Sequence, residues 1–165
     1  MSQQTILDHD SVQHKIRRIA YQIYESNVDE TELILAGVAK NGYIIAERIK
    51  AILEDISTIQ CVLCKVSMDK NSPLGTVETS LKAQEYANKS IVLIDDVLNS
   101  GTTLAYGVRH FLDVPLKRFK TAVLVNRNHK KYPVKADFKG ISLSTSLHEN
   151  VKVRFKASGD SAVLE

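Results

Sequence analysis

The chain has 165 residues, of which 44% are hydrophobic and 25% charged, with a formal net charge of +3. This balance suits one domain built on a single core and excludes a disordered chain, and the apolar runs fall well short of the ~20 residues that a membrane span needs. The charge is uneven: between Arg109 and Lys139 the basic residues face only Asp113 and Asp137, which reads either as solvated surface or as contacts with phosphates or RNA.

Met1 to Asp10 lacks the basic start and apolar stretch of a secretory signal, so a cytoplasmic address is expected. Val12, Ile16, Ile19, Ala20 and Ile23 lie at helical spacing and predict an amphipathic helix over 11–25 with Ser11 as its cap. Leu33 to Ala36 reads as a buried strand, Gly37-Val-Ala-Lys-Asn-Gly42 as a loop, and 43–53 as a helix through Ile45, Ile49 and Ile52. The next predicted strand, Ile59 to Val66, carries Cys61 and Cys64. A C-x-x-C can be redox-active or half of a zinc site. Residues three apart on a strand face opposite ways, however, and no second Cys or His pair completes a metal set, so these read as structural thiols. Ser67 to Ser80 is polar, without period, and broken by Pro73 and Gly75. Thr121 to Val125 predicts a further buried strand, and 132–155 short β segments interrupted by Pro133 and Gly140. Strands alternating with helices imply an α/β fold with a doubly wound, mainly parallel sheet.

The most informative stretch lies between these units: Ile91-Val-Leu-Ile-Asp-Asp-Val-Leu-Asn-Ser-Gly-Thr-Thr-Leu104, followed by helical spacing over 105–112. The apolar run suits a strand buried on both faces, whose carboxyl end gathers ligands. Asn99 to Thr103 supply hydroxyls and backbone N–H groups at a helix start, where the free donors and the macrodipole together hold a phosphate. Asp95 and Asp96 stand ready to accept hydrogen bonds from sugar hydroxyls. A phosphate and a vicinal diol side by side describe a sugar phosphate. The Lys of a nucleoside-triphosphate P-loop and the Gly-x-Gly-x-x-Gly of dinucleotide folds are both missing here.

This segment resembles the phosphoribosyl-pyrophosphate (PRPP) signature of type I phosphoribosyltransferases. Ile6-Leu-Asp8 ahead of Ile16-Arg-Arg-Ile-Ala20, Ile34-Leu-Ala-Gly-Val-Ala-Lys-Asn-Gly42, and Ala122-Val-Leu-Val-Asn-Arg-Asn-His129 leading to Pro133-Val-Lys-Ala-Asp-Phe-Lys-Gly140 extend the likeness. They are similar to the bacterial pyrimidine-operon regulators that are also uracil phosphoribosyltransferases. The resemblance implies a type I phosphoribosyltransferase fold over 1–165 with a small hood and a mobile loop. Its reaction would move the phosphoribosyl group from PRPP to a nucleobase, uracil first, releasing pyrophosphate and forming the nucleoside monophosphate.

The same resemblance assigns roles. Asp95, Asp96 and Lys40 would be catalytic, the carboxylates meeting the ribose hydroxyls. Asn99, Ser100, Gly101, Thr102 and Thr103 would bind the 5-phosphate, and Ala39, Lys40 and Asn41 the pyrophosphate, Lys40 otherwise being an exposed lysine before a helix. Lys70 would add charge from a mobile hood over Ser67 to Ser80, where the related regulators tend to carry arginine. Val125, Asn126, Arg127 and Ile141 would form the base pocket, with Arg127 on the exocyclic oxygen and Ile141 as an apolar lid; His129 belongs there or at the surface. Mg2+ held mainly by PRPP, with Asp95 or Asp96 reaching it through water, is the implied cofactor. Purine enzymes of this family place an aspartate where Asn99 stands, and an amide is no general base at neutral pH. Two alternatives stay open: a hypoxanthine or guanine salvage enzyme, and a uridine-nucleotide-responsive regulator that binds an mRNA hairpin. A homodimer or higher homo-oligomer is expected.

Overall fold

The computed structural model describes residues 2–165 apart from Lys70, Asn71, Pro73 and Asn128. In chain order the elements are β1 (Gln4–Leu7), α1 (His9–Ser26), β2 (Glu32–Val38), α2 (Asn41–Ile56), β3 (Gln60–Ser67), β4 (Glu78–Thr79), α3 (Ala83–Tyr86), β5 (Ser90–Leu98), α4 (Thr102–Phe111), β6 (Arg118–Arg127), β7 (Phe138–Leu143), β8 (Val151–Arg154) and β9 (Ser161–Leu164). They build a six-stranded sheet of order β4-β3-β2-β5-β6-β7 and a three-stranded sheet of order β1-β9-β8. The larger sheet is parallel except for β4, and the smaller one is antiparallel.

The central strands are apolar without interruption because both of their faces are covered. In β2, Leu33 and Leu35 join the core formed with α1 and α2, while Ile34 and Ala36 join a second core on the α4 side; in β5, Val92 and Ile94 share the first core, and Ile91 and Leu93 the second. Cys61 and Cys64 divide in the same way and are free thiols. Alternation of side chains along a strand therefore keeps the two sulfurs on opposite faces of the sheet. Phe111, at the end of α4, sits edge-on against Tyr86 at 4.9 Å and Phe119 at 5.7 Å, which anchors that helix over the sheet.

Connectivity places the site. β2 leads through α2 to β3 on one side, and β5 leads through α4 to β6 on the other, so the winding reverses between β2 and β5. Open α/β sheets bind ligands at the carboxyl ends of strands on either side of such a reversal.

Several expectations from the sequence need correction. Asp8, not Ser11, caps α1: its carboxylate accepts the Ser11 N–H at 2.9 Å, and the helix starts at His9. α2 starts at Asn41, so Gly42 is helical. β5 runs on through the acidic pair to Leu98, which leaves both carboxylates inside a strand. Gly140 does not break the tail but lies within β7, where a Cβ would come within 2.3 Å of the Leu124 carbonyl oxygen. The small second sheet is built from β1, β8 and β9, which lie far apart in the sequence. Within Ser67 to Ser80, Glu78–Thr79 form β4, paired with β3.

Candidate active site

Asp95 is 2% exposed, and its Oδ1 accepts the N–H of Asp96 at 2.9 Å. Asp96 is half-buried; its Oδ1 accepts the Val97 N–H at 2.8 Å and its Oδ2 accepts from Asn41 Nδ2 at 2.9 Å. The same Asn41 amide donates to the Val153 carbonyl at 2.9 Å, tying α2 at once to the end of β5 and to the smaller sheet. Gly42 permits this, because a Cβ there would lie 2.5 Å from the Ile94 carbonyl oxygen. The β2–α2 turn is thereby seated beside the acidic pair. Its Ala39–Lys40 peptide is cis, the Ala39 N–H donates to the Val66 carbonyl at 2.8 Å, and Lys40 is exposed.

The β5–α4 loop is the other wall. Gly101 has φ of +87°, a conformation that side chains with a Cβ rarely adopt, and a Cβ would also meet Val134 Cγ2 at 2.6 Å. Ser100 Oγ and Thr102 Oγ1 are 2.8 Å apart, and the Ser100 carbonyl accepts from the Lys131 N–H at 2.7 Å. The loop is thus braced from below while the first-turn N–H groups of α4 have no carbonyl partner within their own helix. Asp95 through Leu104, together with Val151 of β8, enclose a cavity of about 320 Å3.

The residues assigned to the base behave differently. Val125 is fully buried in the core, under the sheet's helical cover. Arg127 acts as a clamp between loops. It is 5% exposed and donates to Asn99 Oδ1, to Thr145 Oγ1 at 2.9 Å, and to the carbonyls of Ser146 at 3.4 Å and Glu149 at 2.6 Å. Burial pulls its guanidinium below the ordinary value, with Glu149 opposing that shift. His129 Nε2 pairs with the Thr145 carbonyl at 2.6 Å, so it helps hold the 144–150 segment. Asn126 is buried, its Nδ2 donating to Ser142 Oγ at 3.2 Å while Oδ1 has no hydrogen-bond partner among the described residues. Ile141 is half-buried against the core. Lys70 lies outside the described residues. Sequence reasoning missed Val151, Val153 and the Thr145–Glu149 contacts, which carry no motif and reach the site only through tertiary pairing.

The described residues include no cluster of three or more His, Cys, Asp or Glu able to hold a metal. The donors at the β5 edge are two carboxylates, hard oxygen ligands suited to Mg2+ when substrate phosphates complete its coordination. No helix among the described residues is long and apolar enough to cross a membrane.

Residues 2–156 match the phosphoribosyl transferase domain. The chain belongs to this family. Within it the chain is a type I phosphoribosyltransferase that resembles the bifunctional proteins PyrR. The PyrR of Fusobacterium nucleatum is 34% identical over 161 residues, spanning 92% of this chain and 90% of that protein. The PyrR of Leuconostoc mesenteroides is 32% identical over 165 residues, spanning 93% and 91%. Among solved structures, a hypoxanthine-guanine phosphoribosyltransferase of Bacillus anthracis superposes with a TM-score of 0.70 at 21% identity, over 85% of this chain and 83% of that one. The hypoxanthine phosphoribosyltransferase of Trypanosoma cruzi in complex with IMP gives 0.73 at 18% identity, over 98% and 94%. At such identities the structural likeness establishes the fold and leaves the base open.

Proposed function

We propose that the chain transfers the phosphoribosyl group of PRPP to uracil, giving UMP and pyrophosphate. The observation that carries this reading is that the β5 carboxylates and the 99–103 loop line one cavity. The 5-phosphate would lie on the N–H groups and hydroxyls of Asn99 to Thr103, and the ribose diol on Asp95 and Asp96. Ala39, Lys40 and Asn41, seated beside Asp96, would receive the pyrophosphate, Lys40 as a point charge free to reach outward. Mg2+, when bound, would neutralise charge on the departing pyrophosphate, with Asp95 or Asp96 holding its waters. Asn126 and Ile141 would border the base.

Uracil is favoured over purines on two grounds. Asn99 brings an amide where a proton acceptor would help a purine, and its carbonyl oxygen is already bonded to Arg127. The PyrR relatives point the same way. An mRNA partner would use the exposed Lys130, Lys131, Lys135 and Lys139, and a second copy of the chain would extend that face. The test is PRPP consumption measured with uracil, hypoxanthine, guanine and xanthine. Turnover with uracil alone supports the reading; faster turnover with hypoxanthine or guanine overturns it and leaves the family assignment standing.

A further inference from the structure

We propose that Asn99 reads the base by donating an amide N–H to the carbonyl oxygen next to the attacking nitrogen, and that Arg127 is the positioning residue that sets which end of the amide faces the ligand. This rests on the uracil reading above. Arginine has donors only, so its bond to Asn99 can be made only by the amide oxygen. The orientation of the Asn99 amide is therefore fixed by chemistry: Oδ1 to Arg127, Nδ2 to the other side. Asn99 lines the cavity, so the group it has left to offer a ligand is a donor.

Where the base lies follows from the displacement. The C1–O bond to pyrophosphate breaks with its electron pair leaving on pyrophosphate, the N1–C1 bond forms from the opposite side, and the N1 proton leaves to solvent water on the side of the base. With the leaving group over the β2–α2 turn, the nucleophile approaches from the β6 side of β5, the side on which Arg127 and Asn99 meet. In uracil the atom beside N1 is C2, and its oxygen is the acceptor nearest the new bond. A donor there stabilises charge that develops on O2 as N1 loses its proton, which helps the nucleophile without any general base. Arg127 in turn is held by Thr145, Ser146 and Glu149, so its own position is set by three further contacts.

The test compares uracil with 2-thiouracil and 4-thiouracil, because sulfur is a weak acceptor. In Asn99→Ala, kcat/KM for uracil should fall about 3- to 10-fold, as expected for one hydrogen bond to a neutral group. The uracil to 2-thiouracil ratio should fall with it while the uracil to 4-thiouracil ratio stays put. Asn99→Asp should be worse for uracil than Asn99→Ala, because a carboxylate presents an acceptor to O2. Arg127→Met, which has no donor for the Asn99 oxygen, should lower the 2-thiouracil ratio through loss of orientation, and Arg127→Lys, which keeps a donor, should restore part of it. Unmoved ratios in the Asn99 variants, or a change confined to 4-thiouracil, overturn the proposal while leaving uracil transfer intact. A wild type that ignores uracil overturns both.

Discussion

Gly42 packs its Cα directly against the backbone of Ile94: no side chain fits between them. This contact lets the first turn of α2 sit on the end of β5, close enough for Asn41 to bond Asp96 at 2.9 Å. Gly42→Ala should force the two backbones apart at a cost of about 1–3 kcal/mol, the usual penalty for overpacking. Thermal unfolding would report the loss of stability, and PRPP titration a weaker affinity, since the acidic pair loses its partner loop. Unchanged affinity in a destabilised variant would mean that the turn does not serve the ligand.

Replacing both carboxylates by amides, Asp95→Asn with Asp96→Asn, should leave the fold intact, because the amide oxygens can still accept the Asp96 and Val97 N–H groups. PRPP affinity should drop by about 100-fold as charge-assisted bonds to the diol are lost. Circular dichroism and calorimetric titration would separate the two effects. Wild-type affinity in the double variant would remove the diol from this edge.

The smaller sheet is locked to the core by Asp160. It is 4% exposed at the side chain, pairs with Arg48 at 2.5 Å, and accepts from Gln13 at 2.5 Å. Burial raises its pKa, but the Arg48 and Gln13 bonds outweigh that, and the group ends below its ordinary 3.8. A depressed carboxylate contributes stability that is complete above 3.8 and lost as pH falls beneath it toward the lower folded value. Asp160→Asn should therefore cost about 2 kcal/mol at neutral pH, in line with a lost charge-assisted bond. It should also flatten the acid limb of the stability curve below pH 4. Parallel wild-type and variant curves in that range would count against the linkage.

Burial, then Glu54, pushes the Cys61 thiol up to about 11 despite Lys50, and Cys64 is raised too, chiefly by burial. Neither is a thiolate at pH 8, so a thiol reagent such as DTNB should label the native protein slowly and the denatured protein fully. Fast labelling of either cysteine in native buffer would contradict their placement.

The central sheet was legible because Leu33 to Ala36 and Ile91 to Ile94 are apolar without a break, a pattern that only a doubly covered strand requires. The turn from β5 into α4 was legible because Gly101 and its hydroxyl neighbours form one local stretch. The smaller sheet was not, since β1 and β9 are each four residues long and find their pairing across the whole chain. The Arg127 clamp was not legible for a similar reason. Nothing local tells a guanidinium that it will be met by Asn99 on another loop and by carbonyls at 146 and 149.

Gln4 lies opposite Leu164, and β1 has no neighbour in its sheet except β9. On the ribosome β1 must therefore wait as an unpaired strand until β9, far later in the sequence, is made. The parallel sheet with its acidic rim can assemble earlier, since β7 ends at Leu143. Val151 then arrives as a late wall, so a nascent chain would present the cleft at the end of β5 open before it presents it closed.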